Sequence, residues 1–110
     1  MPVDDMYPRG YISQVFDIHK TSQFALWIDR LHDPQARSRI QARIERLAAG
    51  NAGDVRPVGA GVSELRIDHG PGYRVYFTTR GRFVIVLLAG GDKRSQAADI
   101  DVAQHLAKNL

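Results

Sequence analysis

VSELRIDHGPGYRVYFTTRGRFVIVLLA, residues 62–89, decides the fold. In its first run Ser63, Leu65 and Ile67 point one way and Glu64, Arg66 and Asp68 the other, because side chains alternate along a strand. In the second run Tyr73, Val75 and Phe77 form the apolar set and Arg74, Tyr76 and Thr78 the polar one. The third run, FVIVLLA, is apolar on both faces, which predicts a central or helix-covered strand. Asp68 to Gly72 and Thr79 to Arg82 carry the glycines expected of hairpin loops, so the three runs predict an antiparallel meander. Two neighbouring strands then share a polar, basic face that carries Arg66 and Arg74.

Upstream, the period is helical. Thr21 or Ser22 can cap a helix whose apolar residues Phe24, Trp27, Ile28 and Leu31 fall at i, i+3, i+4 and i+7. Asp33 followed by Pro34 is a cap followed by a pre-set first-turn residue, and Ile40, Ile44 and Leu47 then repeat at helical spacing until Gly50. These two helices predict an α-hairpin with a short turn. Tyr11 to Ile18 is rich enough in β-branched and aromatic residues for a strand, while residues 1–10 are expected to be flexible. Gly50 to Gly61 reads as a turn-rich connection. Ser95 can cap a last helix with Val102, Leu106 and Leu110 at intervals of four. The order is strand, α-hairpin, three-stranded meander and C-terminal helix, an α+β layer design with helices expected on one sheet face and the other face left available.

The chain has 110 residues, 44% of them hydrophobic, which suits one domain spanning 1–110 with its own core. Without cysteine, no disulfide or thiolate metal site can form, and the histidines His19, His32, His69 and His105 lack metal-ligand spacing, so no metal or cofactor is expected. No run approaches the roughly 18 apolar residues that cross a bilayer, and the opening MPVDDMYPRG is unlike a secretory signal. A soluble cytoplasmic protein with no membrane partner is the expectation. Net charge is +3, with 12 arginines to 3 lysines, and guanidinium is the better bidentate partner for phosphate. The excess concentrates in the sheet region, where Arg56, Arg66, Arg74, Arg80, Arg82, Lys93 and Arg94 outnumber Glu64, Asp68 and Asp92. High arginine content can equally reflect genome composition.

The stretches GDVRPVGAGVSELRIDHGPGYRVYF (53–77) and GRFVIVLLAGGDKRSQAADI (81–100), with FALWIDRL (24–31) and IQARIERLAAGNAGD (40–54), resemble the killer-protein branch of the RelE/ParE toxins, also called Gp49-like or HigB-like. The resemblance runs from Phe24 to about Ala107. It implies a RelE-like fold and the toxin half of a type II toxin–antitoxin pair, neutralised by a cognate protein antitoxin that in this branch is often of helix-turn-helix type. RelE and HigB relatives cut messenger RNA on the ribosome, whereas ParE relatives inhibit DNA gyrase. The resemblance also places Arg74 on the arginine of the family's GYR motif and Lys93 and Arg94 where the family commonly has a basic residue. The segment SQAADIDVAQ (95–104) departs from some ribonuclease relatives, which carry a proton-transferring tyrosine or histidine there.

Metal-free RNA cleavage needs attack by the 2′-hydroxyl on its own phosphate, stabilisation of the added negative charge, and protonation of the departing 5′-oxygen. Clustered cations supply the second requirement, and Arg66, Arg74 and Lys93 are the candidate catalytic residues. Tyr76 is a candidate to stack on a base. Arg94 is a candidate RNA contact, as are Arg39, Arg43 and Arg46, which form a basic stripe on the second helix. Each has a plain structural alternative: Arg66 can pair with Glu64 or Asp68, Lys93 and Arg94 can be solvated turn residues, Tyr76 can be an ordinary sheet aromatic, and most basic stripes are solvated faces. His69, in a hairpin loop, has a suitable titration range for an acid or base, though loop histidines are more often surface. Gly90 and Gly91 ahead of a helix start resemble an anion-binding nest, but no GK[ST] pattern supports nucleotide hydrolysis. The leading function is a ribosome-dependent mRNA endoribonuclease; a non-catalytic poison of gyrase or another protein, and a nucleic-acid-binding regulator, are the alternatives.

Overall fold

The computed structural model describes residues 15–110. The expected flexibility of residues 1–10 and the start of a strand at Tyr11 lie outside the described residues. The elements in chain order are β1 (Asp17–Lys20), α1 (Ser22–Asp29), α2 (Pro34–Ala48), β2 (Val55–Gly59), β3 (Val62–Ile67), β4 (Tyr73–Arg80), β5 (Val84–Asp92), a 3₁₀ turn (Lys93–Ser95) and α3 (Gln96–Lys108). Among the described residues no helix is long and apolar enough to cross a membrane.

Among the described residues the strands make one five-stranded mixed sheet in the order β1-β5-β4-β3-β2. The predicted meander is β3-β4-β5, antiparallel throughout, with Arg66 opposite Arg74 and Tyr76 opposite Ala89. β1 adds in parallel on the far side of β5, pairing Asp17 to Lys20 with Val84 to Leu87. β5 is therefore central, and its run Ile85 to Ala89 is buried throughout, as expected of a strand apolar on both faces. One strand was not anticipated: β2 forms inside the segment read as a turn-rich connection and pairs with β3 at the sheet edge, with a bulge between Pro57 and Gly59. An edge position accommodates Pro57, which has no N–H to give a second neighbour.

The helix starts follow from their caps. The Thr21 hydroxyl accepts from the Phe24 N–H at 3.1 Å and donates to the Leu88 carbonyl at 2.6 Å, so one side chain caps α1 and fastens it to β5. The Asp33 carboxylate accepts from the N–H groups of Gln35 and Ala36, and Pro34 occupies the first turn of α2. Phe24 from α1 and Ile40, Ile44 and Leu47 from α2 bury against Leu65, Ile67, Val75, Phe77, Ile85 and Leu87. That is the main core.

The other sheet face is not open. α3 lies across β3, β4 and β5 there, and Ala103, Ile100, Leu106 and Ala107 pack on Val62, Tyr76, Val86, Leu88 and Ala89. The expectation of helices on one face only is corrected by this second core. The expected stripe is corrected too: Val102 and Leu110 are exposed, and the fully buried position is Ala103, whose small side chain lets α3 approach the sheet.

Candidate functional site

Cross-strand register builds the site. β3 and β4 place Arg66 opposite Arg74 and Glu64 opposite Tyr76, so these four side chains leave the sheet on the α3 side. Two guanidinium groups directly opposite one another repel. Glu64, one step along, compensates them. Its Oε1 lies 3.9 Å from Arg66 Nε and its Oε2 lies 3.8 Å from Arg74 Nε. The carboxylate is wholly buried, and its Oε2 also accepts from the Tyr76 hydroxyl at 3.1 Å and from the Gln96 side-chain amide of α3 at 2.8 Å. Both Nε groups stand just beyond hydrogen-bond distance, and these two atoms and Glu64 Oε1 have no hydrogen-bond partner among the described residues. The attraction between them is therefore charge across a gap rather than a fork.

Of the two arginines Arg66 is the more exposed. The Arg66 side chain keeps 31% of its surface exposed, whereas that of Arg74 keeps 8%. Arg74 Nη1 and Lys93 Cβ both lie within 4 Å of the position a Cβ on Gly72 would take. Lys93 itself is exposed, at the start of the 3₁₀ turn that follows β5. The fold thus brings Arg66, Arg74 and Lys93 to one end of the sheet beside the start of α3. The arrangement can hold a small anion such as a phosphodiester and stabilise negative charge gained on it.

Other expected contacts are placed differently. Tyr76 is fully buried and offers no face to a base; it serves instead as an internal hydrogen-bond donor to Glu64. Burial first, and the neighbouring Glu64 charge second, push its hydroxyl well above the ordinary tyrosine range. The Arg94 side chain is 85% exposed and bonds to Asp92 at 3.2 Å, a local pair that leaves little net charge. The hydrogen bond from Arg94 holds the Asp92 carboxyl below its usual range. Gly90 and Gly91 are not a nest: both belong to β5 and neither has a positive φ. They are glycine because of close approach, since a Cβ on Gly90 would collide with the Trp27 ring and one on Gly91 with the Asp99 carboxylate.

The basic stripe of α2 divides. Arg43 turns inward: Nη1 donates to the Arg66 carbonyl at 2.5 Å and Nη2 donates to Ala52 at 2.9 Å and Asp54 at 3.4 Å. Partial burial, then the charge of Arg46, depress its pKa below the ordinary arginine value. Arg39 and Arg46 are exposed and border, with Arg43, Ile67 and Asp68, a shallow depression of about 410 Å³. His69 stacks on Tyr73 and lies 3.5 Å from Asp33, which ties it to the start of α2. His19, His32 and His105 are exposed.

Sequence reasoning treated Glu64 only as a partner for Arg66 and passed over Gln96 and Asp99. Asp99, in the first turn of α3, accepts from the Ser95 hydroxyl at 2.5 Å and sits against Gly91, the cross-strand partner of Arg74. Burial, opposed by the Ser95 hydrogen bond and reinforced by the Asp92 charge, holds its carboxyl above the usual range. The available signal for Glu64 was strand alternation, which puts it on the same face as both arginines.

A small α+β chain with a cationic end to its sheet, capped by a C-terminal helix, is the class that fold and site define. Residues 27–108 match the family described as phage-derived protein Gp49-like (DUF891), and the chain belongs to that family, which lies within the RelE/ParE/HigB toxin superfamily. It is also similar to an uncharacterized protein of Haemophilus influenzae, with 45% identity over 93 residues that cover 84% of this chain and 94% of that relative.

Proposed function

We propose that this chain is the toxin of a type II toxin–antitoxin pair and that it cleaves messenger RNA on the ribosome. Membership in the Gp49-like family is consistent with an addiction-module toxin. The observation that carries the finer reading is the placing of Arg66 and Arg74 as cross-strand partners on one face, with Lys93 beside Arg74 at Gly72. In the proposed reaction the 2′-oxygen bonds to phosphorus, the bond from phosphorus to the 5′-oxygen breaks, and a 2′,3′-cyclic phosphate and a 5′-hydroxyl result. The proton leaves the 2′-hydroxyl and another arrives on the 5′-oxygen. Arg66, Arg74 and Lys93 stabilise the charge that builds on the phosphoryl oxygens, with no metal required. The exposed Arg39 and Arg46, with Arg43 between them, offer a further cationic surface to RNA; Arg94, paired with Asp92, contributes less. A protein antitoxin that covers the basic rim with acidic residues would associate faster for it.

A second reading has its own support. Burial of Arg74 and Tyr76, and the absence of tyrosine and histidine from residues 95–104, suit a ParE-like toxin that acts by binding gyrase or another protein. Induced expression with mapping of mRNA ends separates the two. Cuts confined to translated frames, reduced about 100-fold by Lys93→Ala with the fold intact, are expected for the ribonuclease. Arrested growth with DNA-damage signalling and intact messages overturns it.

A further inference from the structure

We propose that Glu64 is a positioning residue for RNA cleavage: its buried carboxylate fixes the facing of Arg66 and Arg74 and cancels one of their two charges. This inference rests on the ribonuclease reading of the site.

The hydrogen bonds at Glu64 do not themselves call for a charge. The Tyr76 hydroxyl and the Gln96 amide both donate to Oε2, while Oε1 accepts nothing from the described residues. A neutral glutamine, with its carbonyl oxygen where Oε2 stands, would satisfy both donors with the same shape. The charge is needed by what lies opposite, the two Nε groups at 3.8 and 3.9 Å. A wholly buried carboxylate is costly unless cations face it, and here two do so from the neighbouring positions of β3 and β4.

The geometry of guanidinium explains what this arrangement does. When the Nε edge of an arginine faces a carboxylate, the terminal Nη edge is left to point away and can present two parallel donors to a phosphate. Arg74 follows this pattern, with Nε toward Glu64 and Nη1 toward Gly72 and Lys93. Without the carboxylate, two like charges directly across a β-ladder would swing apart. Glu64 also reaches α3 through Gln96, so the start of the helix that caps the site is tied to the group that sets the arginines.

The test compares Glu64→Gln with Glu64→Asp. Glutamine keeps the shape and both hydrogen bonds but removes the charge and sets an NH₂ against Arg66 Nε. Aspartate keeps the charge but draws it back by one methylene. Cleavage of a defined, end-labelled mRNA on programmed bacterial ribosomes gives kcat and KM. Binding of a 2′-O-methyl RNA of the same sequence, which cannot be cut, gives the salt dependence.

A positioning role predicts that Glu64→Gln lowers kcat by about 10- to 100-fold while KM stays level or falls. The salt slope of binding steepens by about 0.7, because one more cation is free to displace counter-ions. Glu64→Asp should retain more turnover than Glu64→Gln. A merely structural role predicts the reverse order, because aspartate breaks the Tyr76 and Gln96 bonds and leaves a void, and it predicts that kcat and binding fall together with thermal stability. Wild-type turnover in Glu64→Gln, or glutamine outperforming aspartate, overturns the role of Glu64 and leaves the ribonuclease reading standing. A wild-type chain that cuts no ribosome-bound message overturns both.

Discussion

Arg43→Ala tests whether the basic stripe of α2 is one cationic surface or contains a structural clamp. Arg43 makes two short hydrogen bonds, to the carbonyls of Arg66 and Ala52, and a longer one to Asp54. Bonds from a charged donor contribute about 1.5–3 kcal/mol when fully buried, and partial exposure of Arg43 puts its two short ones near the low end. Against this, removal relieves like-charge repulsion from Arg39 and Arg46, at about 0.2–0.5 kcal/mol for each helical pair. The net expected loss is about 2 kcal/mol, or roughly 8 °C in melting temperature for a domain of this size. Arg46→Ala, one helical turn away and without such bonds among the described residues, should stay within about 0.5 kcal/mol of wild type. Urea unfolding followed by circular dichroism measures both, with m-values showing whether the unfolded states are comparable. Equal losses in the two variants, or a silent Arg43→Ala, would refute the clamp. The carbonyl of Arg66 is among the acceptors, so losing Arg43 also loosens the strand that presents the Arg66 side chain to the site.

Asp99→Asn should stabilise the chain at neutral pH. The Asp99 carboxyl is raised above its reference value of 3.8, mainly by burial, so the folded state disfavours its ionised form. That penalty is present at neutral pH and disappears once pH falls below the unfolded value, where both states are protonated. The gain over wild type in urea midpoint should therefore be seen at pH 7 and be absent at about pH 3; a gain independent of pH would point to another cause. Gly90→Ala should be more damaging than Gly91→Ala, because the first drives a Cβ into the Trp27 ring and the second meets the ends of the Asp99 and Ser95 side chains, which can swing away. Thermal melts should show a loss of about 1–3 kcal/mol for Gly90→Ala, and equal losses would contradict the packing described for Trp27.

The meander was legible because its signals are local and agree: alternation in residues 62–78, an apolar run through β5, and turn residues between them. The starts of α1 and α2 were legible for the same reason, since Thr21 and Asp33 cap by contacts within their own segments. β2 was hidden because Pro57 and Gly59 read as turn residues, and only its place at the sheet edge reconciles them with a strand. The face covered by α3 was hidden for a deeper reason. Alternating polar residues in β3 and β4 look like a solvated face, yet Glu64, Arg74 and Tyr76 are polar and buried: Tyr76 and Gln96 donate to the Glu64 carboxylate, and Arg74 faces it as a charge. That cluster joins positions 64, 74, 76 and 96, and no short-range pattern reports it. In α3 the one fully buried position is Ala103, which a search for large apolar residues passes over, while Ile100, Leu106 and Ala107 pack beside it only partly buried.

Charge balance gives the site its proposed selectivity for a reacting phosphate. Arg66, Arg74 and Lys93 bring three positive charges to one end of the sheet and Glu64 sets one negative charge between two of them, while Arg94 is balanced by Asp92. Asp99, against Gly91 at the start of α3, adds a second carboxylate near the same end, so about one positive charge remains. In the proposed reaction a phosphodiester carries one negative charge and approaches two as the 2′-oxyanion adds to phosphorus, and a site of net positive charge would hold that state more strongly than the bound substrate. A site without Glu64 would carry more positive charge, but its two arginines, directly opposite across the ladder, would repel and lose their shared facing. On the proposed reading, the buried carboxylate, a poor choice for stability alone, is the group that keeps the two arginines aligned on a phosphate.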